Sequence, residues 1–535
     1  MPTSFVEHRL PSRHAVYLCL PDGRVPGDTG VVLYDARYDR TGDLRHVLAR
    51  DERHAAAMAD AYARLTNRVG VVEVSSGGGT TYVVGGLGEA YASSVPLLVL
   101  VTDIHRDSRG TGALTEIDQR ALFSAATKAQ YVVESAADLP ADVHDDTTAV
   151  PSHRPAADDD AVRRAGEILV GARGPAILAG GGVHTSAAYR QLADVAEALG
   201  AGVATTIHGK GAIAETHPCA LGIAGNNGGG RGVNAFLAGA DVVLLVGTRA
   251  NATDTDSFAS PPRTATVIAI DIDPDRAGRN YPGAHRLVGD AATVLGALAG
   301  VLSAIGSDER ERRVAAIAHA RDDRRTDPGV TPAAGQLLAR DVVLALRDVA
   351  GDDTVVVADP GTPTPNLASH WTVRQPGRTT VVPRGHGPMG YAIPGAVGAA
   401  FARPGRPVLA FTADGSFAMA CGELETVARF ELPIVFVQFT NHSLGWIKML
   451  QHLYTDRRYF GVDPGPIDAV GVARACGLAA VRVTDLDELR GTVREAFATG
   501  RPTYVDVEVP HLIDDVPPVP SWHRALDGDT TRPVY

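Results

Sequence analysis

Short, uninterrupted apolar runs recur along the chain, each bounded by glycine or by a polar cluster. The clearest are Gly70 to Val74, Pro96 to Thr102, Pro175 to Gly182, Asp241 to Gly247, Thr266 to Asp273, Thr354 to Ala358, Val408 to Phe411 and Ile434 to Phe439. Runs of this length without polar alternation predict strands buried on both faces, as in parallel sheets. Ala15 to Leu20 is expected to be the first strand. Between the runs lie stretches of helical pattern, such as Asp51 to Arg64 and Gln336 to Val349. Strand and helix alternate throughout, which predicts an α/β architecture of doubly wound parallel sheets. Two polar stretches break this rhythm. Residues 136–160 are rich in Asp, Thr and Pro, and Ser307 to Gly335 carries Asp308-Glu-Arg-Glu-Arg-Arg313 and Arg321-Asp-Asp-Arg-Arg325. Both read as linkers, the charge runs lying on solvated helix faces. They divide the chain into three expected domains, residues 1–135, 161–305 and 336–515.

Composition narrows the function classes. A chain of 535 residues accommodates about three domains. Hydrophobic residues make up 45% and charged residues 21%, ordinary for a soluble globular enzyme. The net charge of −12, with no basic run, argues against a nucleic-acid partner. Cys19, Cys219, Cys421 and Cys476 are far apart and none pairs at metal-ligand spacing. Reduced thiols in a cytoplasmic protein follow as the default. No apolar segment reaches membrane-spanning length, and Met1 to Leu10 lacks the apolar core of a signal peptide.

Candidate chemistry concentrates at two strand ends. Asp414 follows the run Val408 to Phe411, and Asn441 follows the run Ile434 to Phe439, with a helical pattern between. Both oxygens therefore stand at the carboxyl ends of strands in one βαβ unit, where open α/β sheets bind ligands. A carboxylate, an amide oxygen and a backbone carbonyl suit Mg²⁺, which usually also holds phosphate oxygens. Gly415 and Gly445 let the backbone approach a phosphate closely. The plainer reading is an Asp-Gly turn and an Asn capping a helix.

The order Asp414-Gly-Ser, helix, strand, Asn441 resembles the diphosphate-binding motif of thiamine diphosphate enzymes. Three further segments resemble the same family in the right order. Asp51-Glu52-Arg-His-Ala-Ala-Ala-Met-Ala-Asp-Ala-Tyr-Ala-Arg64 is similar to the family's glutamate helix, with Asp51 where His is usual and Ala61 where Gly is common. Ser76-Gly-Gly-Gly-Thr-Thr81 is similar to its first-domain glycine loop, and Gly385-His-Gly-Pro-Met-Gly390 to the segment carrying its apolar wedge. Taken singly, a Glu at a helix start favours the helix dipole, and a Met fills a core.

The resemblance is to the acetolactate synthase branch, and it implies three domains in order: pyrimidine-binding, central and diphosphate-binding. It implies that Asp414, the Asn441 side chain and the Ser443 carbonyl hold Mg²⁺. Glu52 is implied as the catalytic residue bonding the pyrimidine N1′. Gly78, Thr80, Gly361, Thr362, His386, Gly387, Met389, Gly415, Ser416, Leu444 and Gly445 are implied around thiamine diphosphate. FAD, used by acetolactate synthases, would belong near His208 to Gly211, Gly225 to Arg231 and Gly247 to Arg249, which match the flavin pattern only loosely. Flavin-free relatives have the same three-domain plan.

The implied reaction is decarboxylation of a pyruvate-like 2-oxo acid, with transfer to a second carbonyl compound. Simple decarboxylases of the superfamily carry a His-His pair where this chain has Thr115-Glu116, so transfer is favoured over release. Lys128 is a candidate carboxylate contact or a solvated lysine. Two alternatives stand beside this reading: another 2-oxo-acid or acyl-CoA decarboxylase or lyase, and a cofactor-binding homologue with impaired catalysis. The second arises because the first domain reads as shortened. Few residues precede Ala15, and Ala141 to Arg154 lacks the helix and strand that the family places there. The family forms homodimers or homotetramers with sites at the interface, and the same is expected here.

Overall fold

The computed structural model describes residues 18–21, 34–35, 38, 45–132, 150–151, 153–322, 330–529 and 531–533. The first three residues of the expected Ala15 to Leu20 strand, and the 136–149 part of the first linker, lie outside these.

Three parallel sheets follow one another along the chain. The first contains β1 (Leu18–Pro21), β2 (His46–Ala49), β3 (Gly70–Val74) and β4 (Leu97–Val101) in the order β2-β1-β3-β4. The second contains β5 (Pro175–Ala179), β6 (Gly202–Thr205), β7 (Ala220–Ile223), β8 (Val242–Val246), β9 (Thr266–Asp271) and β10 (His285–Val288), in the order β10-β9-β8-β5-β6-β7. The third contains β11 (Val355–Ala358), β12 (Thr380–Val381), β13 (Val408–Ala413), β14 (Ile434–Thr440), β15 (Ala479–Val483) and β16 (Thr503–Glu508), in the order β12-β11-β13-β14-β16-β15. Among the described residues the first sheet has four strands against six in each of the others, and the places where shortening is read, before Ala15 and over most of Ala141 to Arg154, lie outside the described residues. Strands β3, β5, β8 and β14 are buried along their whole length, as parallel strands covered on both faces are. In the third sheet the strand order changes direction between β11 and β13, and β13 carries Asp414 just past its end.

The charge run from Asp308 lies on a helix, Ser307–Asp322, whose charged faces are solvated as the sequence suggests, but one side of it packs on the central domain. Its Ile317 and Ala320 are buried with Leu221, Val233 and Leu237 of the central domain. The charges occupy the remaining faces, so composition hid a short apolar stripe.

The first and third domains share one core. Helix Glu52–Thr66 lies against helix Ala392–Ala402, with Met58, Ala61 and Leu65 in the same cluster as Ala396, Ala399 and Ala400. Small residues on both helices permit this approach. At Gly398 an added methyl would overlap the Met58 backbone carbonyl, so only glycine fits there. The central domain has separate cores on its two sheet faces. Among the described residues no helix is long and apolar enough to cross a membrane.

The close helix crossing makes a direct prediction. Gly398→Ala should destabilise the protein by about 1–3 kcal/mol, the range for overpacking a filled core, because backbone rather than a mobile side chain must give way. Denaturant unfolding of wild type and variant checks this, and equal midpoints would show that the crossing relaxes freely.

Candidate functional site

Strand β13 ends at Ala413, and Asp414 begins the short helix Asp414–Ala420. Its carboxylate gathers backbone donors from two loops. Oδ1 accepts from the Gly415 N–H at 2.8 Å, and Oδ2 accepts from the N–H groups of Asn441 at 3.1 Å and His442 at 2.6 Å. The two strand ends are thereby tied together. Burial pushes the Asp414 carboxyl up from its usual range, against those donors. A cation beside it would favour the charged form. Asn441 is 4% exposed, and its Oδ1 is buried without a hydrogen-bond partner. A buried amide oxygen of this kind is costly unless something binds it. The donor set, one carboxylate and one orphaned amide oxygen, fits Mg²⁺. Among the described residues no group of three His, Cys, Asp or Glu side chains offers an alternative metal site.

Ser443 is buried, its hydroxyl donating to the Val462 carbonyl at 3.2 Å, which leaves its own carbonyl as its candidate ligand atom. Gly415 keeps space open for two side chains. A methyl there would stand 2.9 Å from Leu444 Cδ2 and 3.3 Å from Met389 Cε. At Gly445 the neighbours are the Asn441 amide nitrogen and Leu512. Met389, Gly415 and Leu444 therefore meet, next to Asp414 and Asn441.

The loop that carries Met389 is anchored by an aspartate that the sequence reading passed over. Asp359 follows β11 and is wholly buried. Its Oδ1 accepts from the N–H groups of Tyr391 at 2.8 Å and Ala392 at 2.9 Å, and its Oδ2 from the Thr412 hydroxyl at 2.7 Å. Burial raises its carboxyl to about 6, against those donors. Asp359 thus starts helix Ala392–Ala402 and ties it to β13. Its neighbours Gly361, at φ +95°, and Thr362 lead into helix Pro363–His370. The signal was available in the Asp-Pro-Gly-Thr at a strand end. Ser416 is buried behind Asp414, and His386 and Gly387 lie on the Met389 loop.

The first-domain residues form a second group. Asp51 caps helix Glu52–Thr66 by accepting from the Arg53 N–H at 2.8 Å. Glu52 Oε1 would stand 3.4 Å from a methyl at Gly79, so the carboxylate rests on the start of helix Gly78–Ser93. Gly78 is exposed, whereas Thr80 is buried with its hydroxyl donating to the Ser75 carbonyl at 2.8 Å. Thr115 closes over this loop. Its hydroxyl pairs with that of Ser76 at 2.8 Å, at a φ of +69° that is rare for a β-branched residue. The Glu116 carboxylate holds its own loop, accepting from the N–H groups of Gly110, Gly112 and Ala113.

Which way Glu52 faces follows from the helix. His54 Nδ1 and the Arg50 N–H both meet Glu423 Oε1 of the third domain, at 3.1 and 2.7 Å. Residues two apart on an α-helix are rotated by about 200°. Glu52 therefore faces away from the third domain of its own chain.

In the central domain the strand order reverses between β5 and β8, and the glycine turns after these strands, Gly180 to Gly182 and Gly247, pack together. Three of their N–H groups are already used: Gly180 donates to Val246, Gly182 to Gly247 and Gly247 to Ile270. Lys210 is buried in an ion pair with Glu215 at 2.6 Å, and His208 is half-buried. Asn227 keeps a buried side-chain amide without partners.

Comparison with known proteins agrees with this arrangement. Residues 24–122 match the N-terminal TPP binding domain of thiamine pyrophosphate enzymes, residues 162–298 the central domain, and residues 359–507 the C-terminal TPP binding domain. The chain is 30% identical over 532 residues to a probable acetolactate synthase large subunit of Methanocaldococcus jannaschii, covering 90% of this chain and 88% of the relative. It is also 30% identical over 529 residues to the acetolactate synthase isozyme 3 large subunit of Escherichia coli, covering 90% and 91%. The relative from Parasynechococcus marenigrum, an acetolactate synthase large subunit, is 30% identical over 537 residues, covering 92% and 86%. The chain therefore belongs to the thiamine diphosphate-dependent enzymes of the acetolactate synthase large-subunit family.

Proposed function

We propose that this enzyme decarboxylates a pyruvate-like 2-oxo acid and transfers the remaining fragment to a second carbonyl compound, using thiamine diphosphate and Mg²⁺. The observation that carries the cofactor part is the Asn441 amide oxygen, buried without a partner beside the Asp414 carboxylate. Asp414, Asn441 and the Ser443 carbonyl would hold the metal, and Met389, Gly415 and Leu444 would lie against the cofactor. When bound, thiamine diphosphate supplies the carbon nucleophile and the electron sink for loss of carbon dioxide. Glu52 would hold the proton at the pyrimidine N1′.

Transfer rather than release is supported at the first-domain loop. Thr115 is bonded to Ser76, and the Glu116 carboxylate is occupied by three backbone N–H groups. Neither is a histidine that could hand a proton to the product. The central crevice would hold FAD if it binds, with the Asn227 amide as an available partner.

The active unit is a homodimer or a pair of homodimers, since Glu52 faces away from its own third domain. Met389 and Ile447 beside the candidate metal site are 41% and 47% exposed, and Leu114 and Tyr82 near the Glu52 group are 85% and 59% exposed. Two-fold pairing would bring these surfaces together, as closed symmetric oligomers do.

Three outcomes are expected. Asp414→Ala should weaken thiamine diphosphate binding by more than the roughly 10–100-fold attached to supporting residues of metal sites, while far-UV circular dichroism is unchanged. An unaltered titration curve would remove Asp414 from the metal site. Glu52→Gln should keep cofactor binding but slow hydrogen–deuterium exchange at the cofactor C2 by roughly 10²–10⁴-fold. Wild-type exchange in that variant would take the proton role from Glu52. Finally, mixing inactive Glu52→Gln chains with inactive Asp414→Ala chains under subunit exchange should restore part of the activity. A mixed dimer then has one site with both lesions and one with neither, and no recovery despite proven exchange would place each site within one chain.

A further inference from the structure

Three consecutive backbone N–H groups on the Met389 loop converge on one carboxylate. Glu89 Oε1 accepts from Gly385 at 3.0 Å, and Oε2 accepts from His386 at 2.7 Å and Gly387 at 3.1 Å. Successive N–H groups of this kind make a concavity that holds an anion. The anion comes from another domain. Glu89 lies toward the end of helix Gly78–Ser93 and is 1% exposed. Arg64 Nη2 at 2.9 Å and the Ser93 hydroxyl at 2.7 Å also donate to Oε1, and His208 Nε2 of the central domain stands 3.9 Å away. Burial works against ionisation of Glu89, but the Arg64 guanidinium and the backbone and Ser93 donors outweigh it and hold the carboxyl well below the usual range. Every group around the carboxylate that bonds to it is a donor.

The far end of the same loop is fixed as well. Asp359 takes the N–H groups of Tyr391 and Ala392, and the Tyr391 hydroxyl donates to Asp60. Met389 stands between the two fastenings. Its side chain is 41% exposed, so the backbone on either side, more than packing, sets where it stands over Gly415 and Leu444.

We propose that Glu89 is a positioning residue for the cofactor site: reaching across the domain boundary, it fixes residues 385–387 and so sets the place of Met389. This rests on the reading of Met389 as a cofactor support. An amide is not equivalent to the carboxylate, because a glutamine must turn its own NH₂ toward at least one of these donors.

A double-mutant cycle tests the proposal. Glu89→Gln, Met389→Ala and the double variant are compared in full-length protein by two measurements. One is titration of thiamine diphosphate with Mg²⁺, followed by tryptophan fluorescence. The other is hydrogen–deuterium exchange at C2 of the bound cofactor. We expect Glu89→Gln to keep its far-UV circular dichroism and to slow exchange by about 10²-fold, the order for a small misplacement of aligned groups. The double variant should be no slower than the slower single variant, since both lesions remove the same alignment. Effects that multiply would show that Glu89 acts elsewhere, and wild-type exchange in Glu89→Gln would show that it positions nothing. Should Glu89→Gln not fold, Glu89→Asp goes through the same cycle with the charge kept and the reach shortened. A silent Met389→Ala beside an impaired Glu89 variant overturns the proposal without touching the metal assignment, which the Asp414→Ala titration tests separately.

Discussion

Arg64 lies between two buried carboxylates, and the junction of the three domains is built around that cation. Its Nε donates to Asp60 at 2.7 Å and its Nη2 to Glu89 at 2.9 Å. Burial opposes the guanidinium charge, but the carboxylates of Asp60 and Glu89 outweigh it and raise its affinity for the proton. Each carboxylate also has partners from the third domain, Tyr391 for Asp60 and the 385–387 backbone for Glu89. Arg378 of the third domain donates to the Arg64 carbonyl and to the Gly181 carbonyl, which brings the central domain in. Burying such charges gives little net stability, yet removing one partner costs about 3–5 kcal/mol because the others remain desolvated. The network therefore works chiefly by excluding other arrangements of the domains.

That constraint acts together with the alanine-rich crossing of helices Glu52–Thr66 and Ala392–Ala402. The crossing presses the first domain onto the third at one close point, Gly398 against the Met58 backbone. The hydrogen-bonded charges at Asp60, Arg64 and Glu89 fix the register with it. The site residues inherit their positions from it: Asp60 and Glu52 share one helix, and Tyr391 is two residues from Met389.

Much of this was legible in the sequence, for a physical reason. Buried parallel strands need continuous apolar runs, so β3, β5, β8, β11, β13 and β14 announced themselves, and ligand groups at strand ends follow from sheet topology. Asp414 and Asn441 were readable for that reason. Short strands such as β2, β6 and β7 have runs too brief to separate from loops. Helix Ser307–Asp322 was readable from its charges as a solvated face, but its docking on the central domain was not, because only Ile317 and Ala320 of it are buried. Glu89 was invisible in another way. Its partners are backbone N–H groups some three hundred positions away, and backbone donors leave no trace in side-chain pattern. The one hint was a single acidic residue in an otherwise uncharged helix. Glu52 was readable as a residue, but not its direction, which depends on His54 engaging Glu423.

Helix Gly78–Ser93 touches Glu52 at one end, through Gly79, and the Met389 loop at the other, through Glu89. The ten-residue step from Gly79 to Glu89 spans about 15 Å of α-helix. In a two-fold dimer with Glu52 serving the opposite chain's cofactor, those two ends belong to different active sites. The helix is then a strut joining them, and its opposite number joins them again by symmetry. Events at one cofactor have a short, stiff path to the proton-holding carboxylate of the other. A dimer built this way has the mechanical means for its two sites to work in alternation rather than independently.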